Sequence, residues 1–119
     1  LAKTTIVDID GVLAMAVLSA NDMLDFNRLR EITGASTVVL ATEAEFRARF
    51  PDCEIGAMPP LGNLYAMDVY VDEALAADGL IAFNAGTHEE LVQLAYADFA
   101  GLVRPTVGAF HLELVRIGV

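Results

Sequence analysis

Two strand-forming runs meet at Asp10-Gly11, and this junction constrains the fold more than any other feature of the chain. Residues 3–9 (Lys-Thr-Thr-Ile-Val-Asp-Ile) are rich in β-branched side chains and read as a strand. Val12 to Leu18 is apolar at every position. A two-residue Asp-Gly link suits a type I′ turn, whose central residues both need positive φ. The opening segment therefore predicts an antiparallel hairpin. Its second strand is apolar on both faces, and such a strand is central, covered on each side. At 119 residues and 55% hydrophobic content, the chain supports one domain with one real core.

What can cover that strand follows along the chain. Asp25 to Thr33 reads as a short helix with Phe26, Leu29 and Ile32 on its buried face, ended by Gly34. Ser36 to Leu40 reads as a strand. Thr42 with Glu45 three positions on is a capping box opening a second helix, with Phe46 and Phe50 inward and Pro51 as its stop. Residues 52–66 read as loop. Asp68 to Val71, Leu80 to Phe83 and Leu91 to Leu94 read as strands, Glu73 to Ala77 as a helical turn, and Ala97 to Val103 as a last helix before Pro105. Strands and helices mix without strict βαβ alternation, which predicts an α+β domain.

Charge limits the function. Seven Lys and Arg stand against 17 Asp and Glu, a net charge of −10. A broad phosphate-neutralising face is excluded, though not a pocket that takes only the end of a nucleic acid. The acidic pairs Asp72-Glu73 and Glu89-Glu90 read as solvated faces. Cys53 is the only cysteine, so neither an internal disulfide nor a Cys-based metal cage can form, and a reducing compartment fits. As a nucleophile with His88 it lacks an orienting third group, and it reads as a small packing residue. No apolar run approaches the ~20 residues of a membrane span, and no signal peptide is evident. The expectation is a soluble, acidic, cytoplasmic protein.

Two patterns carry chemistry. Ile6-Val7-Asp8-Ile9-Asp10-Gly11 resembles the first motif of haloacid-dehalogenase-like phosphatases, where paired Asp residues serve as nucleophile and general acid around Mg²⁺. That chemistry also needs a downstream lysine and a further acidic pair. The only lysine is Lys3, upstream, so the hairpin reading is preferred. The second pattern is an ordered set: Leu1-Ala2-Lys3-Thr4, Gly56-Ala57-Met58-Pro59-Pro60-Leu61-Gly62, Asp68-Val69-Tyr70-Val71-Asp72-Glu73, Phe83-Asn84-Ala85-Gly86-Thr87-His88 and Tyr96-Ala97-Asp98-Phe99. In this order and at these separations it resembles the YbaK/aminoacyl-tRNA synthetase-associated domain, the family of trans-editing deacylases and of the insertion domain of bacterial prolyl-tRNA synthetases.

That resemblance implies a mixed, strongly curved sheet flanked by short helices. It implies hydrolysis of the ester joining a wrong amino acid to the 3′ end of tRNA, with the substrate's own terminal ribose hydroxyl taking part and no metal or organic cofactor. A Gly-rich loop lets backbone N–H groups approach an ester carbonyl, and Pro59 and Pro60 stiffen it while leaving the N–H groups near Gly56 to Met58 as donors. The candidate catalytic residues are Lys3 and His88. The candidate substrate-binding residues are Gly56, Ala57, Met58, Pro59, Pro60, Gly86 and Thr87. The expected partners are a tRNA acceptor end carrying a misactivated amino acid and a synthetase, with no membrane and no DNA. The chain departs from the family in two places. It starts inside the Ala-Lys-Thr strand, so residues 1–119 read as a single editing-type domain without the family's N-terminal helical segment, and Leu91 stands where cysteine-specific members carry an acidic residue. Two competing readings are a binding module that kept the fold and lost hydrolysis, and the phosphatase.

Overall fold

The computed structural model describes residues 1–113. β1 (Ala2–Ile9) and β2 (Val12–Ser19) pair antiparallel along their full length, from Ala2 opposite Ser19 to Ile9 opposite Val12. Asp10 and Gly11 between them have φ of 49° and 87°, the pair a type I′ turn requires. The Asp8 carboxylate accepts the Gly11 N–H at 2.7 Å. Asp10 accepts the N–H groups of Ser36 at 3.1 Å and Thr37 at 2.8 Å, which ties the turn to the start of β3 (Val38–Leu40). Those bonds, the Thr37 N–H foremost, hold the Asp10 carboxyl below its ordinary range. Both acids of the phosphatase-like pattern are thus hydrogen-bonded within the turn region.

β4 (Val69–Asp72) and β7 (Thr106–Gly108) complete a five-stranded sheet in the order β3-β1-β2-β4-β7. The β2–β4 and β4–β7 pairs are parallel and the other two antiparallel, so the sheet is mixed. β5 (Leu80–Asn84) and β6 (Leu91–Ala95) form a separate antiparallel ribbon. β2 is central and buried from Ala14 to Leu18. Its side chains alternate between two layers, as strand geometry demands. Met15 and Val17 join Phe46, Phe50, Met58, Phe83 and Phe99 on one face, while Ala14, Ala16 and Leu18 join Leu29 and Phe110 on the other. Each large side chain so buried contributes about 1.5–3 kcal/mol.

α1 (Phe26–Thr33) starts at Asp25, whose carboxylate accepts the N–H groups of Asn27 and Arg28, and ends at Gly34. Leu29 is fully buried, but Phe26 is exposed, contrary to the helical-spacing expectation. Helical side chains lean toward the N-terminus, so a first-turn ring projects past the layer that Leu29 covers. α2 (Glu43–Phe46) carries the expected capping box between Thr42 and Glu45. It lasts one turn and passes into a 3₁₀ turn over Arg47–Arg49, yet Phe46 and Phe50 are both buried and meet edge to face at 6.1 Å. α3 (Glu73–Ala76) and α4 (Tyr96–Val103) follow β4 and β6. Among the described residues no helix is long and apolar enough to cross a membrane.

Candidate active site

The loop that follows α2 turns on Gly56, where φ is +85°, a conformation that favours glycine. Its first part, Glu54 to Gly56, is exposed. The part from Ala57 to Pro60 is buried, with Met58 packed into the cluster around Phe83. The loop is therefore held from beneath while its glycine end faces solvent.

The β5–β6 connection is laced to this loop. The Glu54 N–H donates to the Gly86 carbonyl at 2.7 Å, and the Gly86 N–H donates to the Ala57 carbonyl at 2.9 Å. The His88 N–H donates to Glu54 Oε1 at 2.7 Å. His88 Nε2 lies 3.0 Å from the Ile55 carbonyl oxygen. A carbonyl can only accept, so in the neutral ring the proton sits on Nε2 and the lone pair on Nδ1. A Cβ on Gly56 would stand 3.4 Å from His88 Cε1, a measure of how closely the two segments approach. The Ala57 N–H is tied to the Glu54 carbonyl, whereas those of Gly56 and Met58 have no hydrogen-bond acceptor among the described residues. Thr87 serves the connection itself: its hydroxyl accepts the Glu90 N–H and its carbonyl accepts Asn84 Nδ2.

Cys53 borders this region without pairing with His88. Its Sγ lies 3.6 Å from the Tyr65 hydroxyl and would be 3.7 Å from a Cβ on Gly86. Tyr65 packs at a tilt against Phe50, ring centres 4.4 Å apart, and burial first, then the contact with Cys53, pushes its hydroxyl up to about 12, so it stays protonated at neutral pH.

Lys3 sits elsewhere. Alternation along β1 puts it on the face of Val7, opposite Leu18, whereas Ala2 and Ile6 face the cluster that holds Met58. Its ammonium donates to the main-chain carbonyl of Asp22. Gly56 to Pro60 and Gly86 to His88 are thus brought together, and the Lys3 ammonium is bonded to a different turn. Leu91 is exposed at the start of β6.

Beside Asp22 lies a constellation that sequence reasoning missed. Asp72 is fully buried rather than solvated. Its Oδ1 accepts the N–H groups of Phe110 at 2.8 Å and His111 at 3.0 Å, and its Oδ2 accepts the Ala74 N–H at 3.2 Å. His111 Nδ1 lies 2.8 Å from the same Oδ2. The local signal for Asp72 was its place just before Glu73–Ala76, where an N-cap belongs. Nothing local marks His111, which is 39 positions away.

The profile of the aminoacyl-tRNA editing domain matches residues 1–102. The proline–tRNA ligase of Bacillus cytotoxicus is 27% identical over 88 residues, which are 74% of this chain but only 15% of the ligase. Two solved structures share the fold at a TM-score of 0.82 and 20% identity, each over 94% of this chain. One is the hypothetical protein APE2540, of which 74% is covered, and the other a candidate trans-editing enzyme for prolyl tRNA synthetase, of which 70% is covered. With a loop and a ribbon turn laced as described and a family match across nearly its whole length, the chain belongs to the aminoacyl-tRNA editing domain family.

Proposed function

We propose that the chain acts in trans in the cytoplasm as a deacylase, hydrolysing the ester that joins a wrong amino acid to a tRNA of prolyl type. The observation that carries this reading is the pair of unbonded N–H groups at Gly56 and Met58, on a loop anchored in the core whose Ile55 carbonyl holds the His88 ring at 3.0 Å. Such donors suit the oxygen of an acyl carbonyl, which gains negative charge as the carbon becomes tetrahedral. Water, oriented by the terminal ribose hydroxyl and by His88 Nδ1, bonds to that carbon. The bond from the carbon to the ribose oxygen then breaks, and the proton lost by water ends on the released hydroxyl. Lys3 serves the ribose-phosphate end of the substrate in this reading, which requires its side chain to leave the Asp22 carbonyl and reach round the start of β1 from the other face. Deacylation of a panel of mischarged tRNAs tests it. Turnover of at least one, lost in His88→Ala with the fold retained, is expected. The position of Lys3 favours a second reading, a module that binds the acceptor end without hydrolysis, and a panel bound but never turned over would decide for it.

A further inference from the structure

We infer that Asp22, Asp72 and His111 form a site for one divalent transition-metal ion, outside the proposed catalytic loop and independent of it. The Asp22 and Asp72 carboxylates and the His111 ring each offer a ligand atom, all within 4.8 Å of one another. Ligands about 2.1 Å from one ion stand about 3.4 Å apart in tetrahedral geometry and about 3 Å apart in octahedral geometry. Asp72 Oδ2 and His111 Nδ1 are hydrogen-bonded at 2.8 Å, so an ion entering between them would displace the Nδ1 proton and part the two atoms by only a few tenths of an ångström, roughly to ligand spacing. Asp22 lies on a surface turn, and its carboxylate has no hydrogen-bond or ion-pair partner among the described residues, so it is free to close the remaining distance.

Two further features suit an ion. Three main-chain N–H groups hold the Asp72 carboxylate in place, the kind of outer support that orients a metal ligand. A cavity of about 140 Å³ lined by Asn21, Asp22, Met23 and Leu112 borders the cluster on its Asp22 side, with room there for water beside an ion. Two carboxylates and one imidazole are a borderline-hard set, which suits Zn²⁺ or Mn²⁺ over a soft ion such as Cu(I). The Lys3 ammonium is bonded to the Asp22 carbonyl rather than to its carboxylate, and it leaves that ligand open. An ion here would clamp three separated pieces of chain: the turn after β2, the end of β4 and the segment after β7.

Titration of the intact chain with Zn²⁺, followed by calorimetry and thermal melting, tests the site. One ion per chain with a rise in Tm is expected, and His111→Gln and Asp22→Asn should each weaken binding at least tenfold. Asp72→Asn is avoided because it alters the core. Co²⁺ added to the native chain should give the visible absorption of an ion bound by nitrogen and oxygen, absent in His111→Gln. No binding at 100-fold excess of Zn²⁺ overturns the site. So does an affinity unchanged in both variants, or one abolished by His88→Ala or Cys53→Ser instead.

Discussion

Gly56 concentrates the backbone demands of the proposed site in one residue. At φ +85° an L side chain costs on the order of 1 kcal/mol or more, and here its Cβ would lie in van der Waals contact with the His88 ring. Gly56→Ala should therefore lower Tm modestly and lower turnover by about 100-fold, the scale of losing one oxyanion donor. Urea melts beside single-turnover rates check this, and equal losses in both would reduce the loop to a structural role. Lys3→Ala separates two roles for the lone lysine. Losing one hydrogen bond to a carbonyl costs about 1 kcal/mol, whereas losing a cation that meets substrate should cut deacylation by at least tenfold. Wild-type rates from folded Lys3→Ala protein would remove Lys3 from the mechanism.

At the scale of elements, the joints between strands carry testable stability. Asp72 couples β4, α3 and the segment after β7 through one buried carboxylate. Asp72→Ala leaves the Phe110 and His111 N–H groups without that acceptor, and the expected cost is about 3–5 kcal/mol. Chemical denaturation measures it, and a loss under about 1 kcal/mol would contradict the buried role. The link from the β1–β2 turn to β3 is instead exposed and pH-dependent. Its acceptor, Asp10, has a carboxyl held below the ordinary range by the Thr37 and Ser36 N–H groups. A depressed folded value means stability that is present above the unfolded value and lost as pH falls through the folded one. The difference in stability between wild type and Asp10→Asn should then be constant at neutral pH and shrink on acidification. A difference that does not change with pH would show that the charge is not involved.

For the molecule as a whole, net charge governs how it meets a polyanion. At −10, the seven Lys and Arg are outnumbered by 17 Asp and Glu, and Arg28 and Arg47 are themselves paired to acids, so a broad face for phosphates has too few cations to draw on. The log–log slope of tRNA affinity against salt should be about −1 to −2, the signature of one or two phosphate contacts. An acceptor-stem minihelix should be processed nearly as well as whole tRNA, leaving selection of the tRNA body to a partner. A steep slope, or an inert minihelix, would require an extended binding face.

The hairpin, the central apolar strand, the Thr42–Glu45 capping box and the Gly34 helix end were legible in the sequence because their causes are local: a turn that needs positive φ, a run without polar residues, a capping side chain three positions from its target, and a glycine free to turn left-handed. The glycine-proline loop and the Gly86-Thr87-His88 turn were visible as a pattern, but their lacing is a matter of pairing between segments some thirty residues apart. β7 escaped because a three-residue strand owes its existence to the edge of β4, not to its own propensity. The same holds for the exposed ring of Phe26 and for the face on which Lys3 lies. A buried carboxylate such as Asp72 reads in sequence like any surface acid, since what permits its burial is supplied by backbone 38 and 39 positions away. Local chemistry determined which elements form; which side chains meet was decided only when the sheet brought distant backbone within hydrogen-bonding reach.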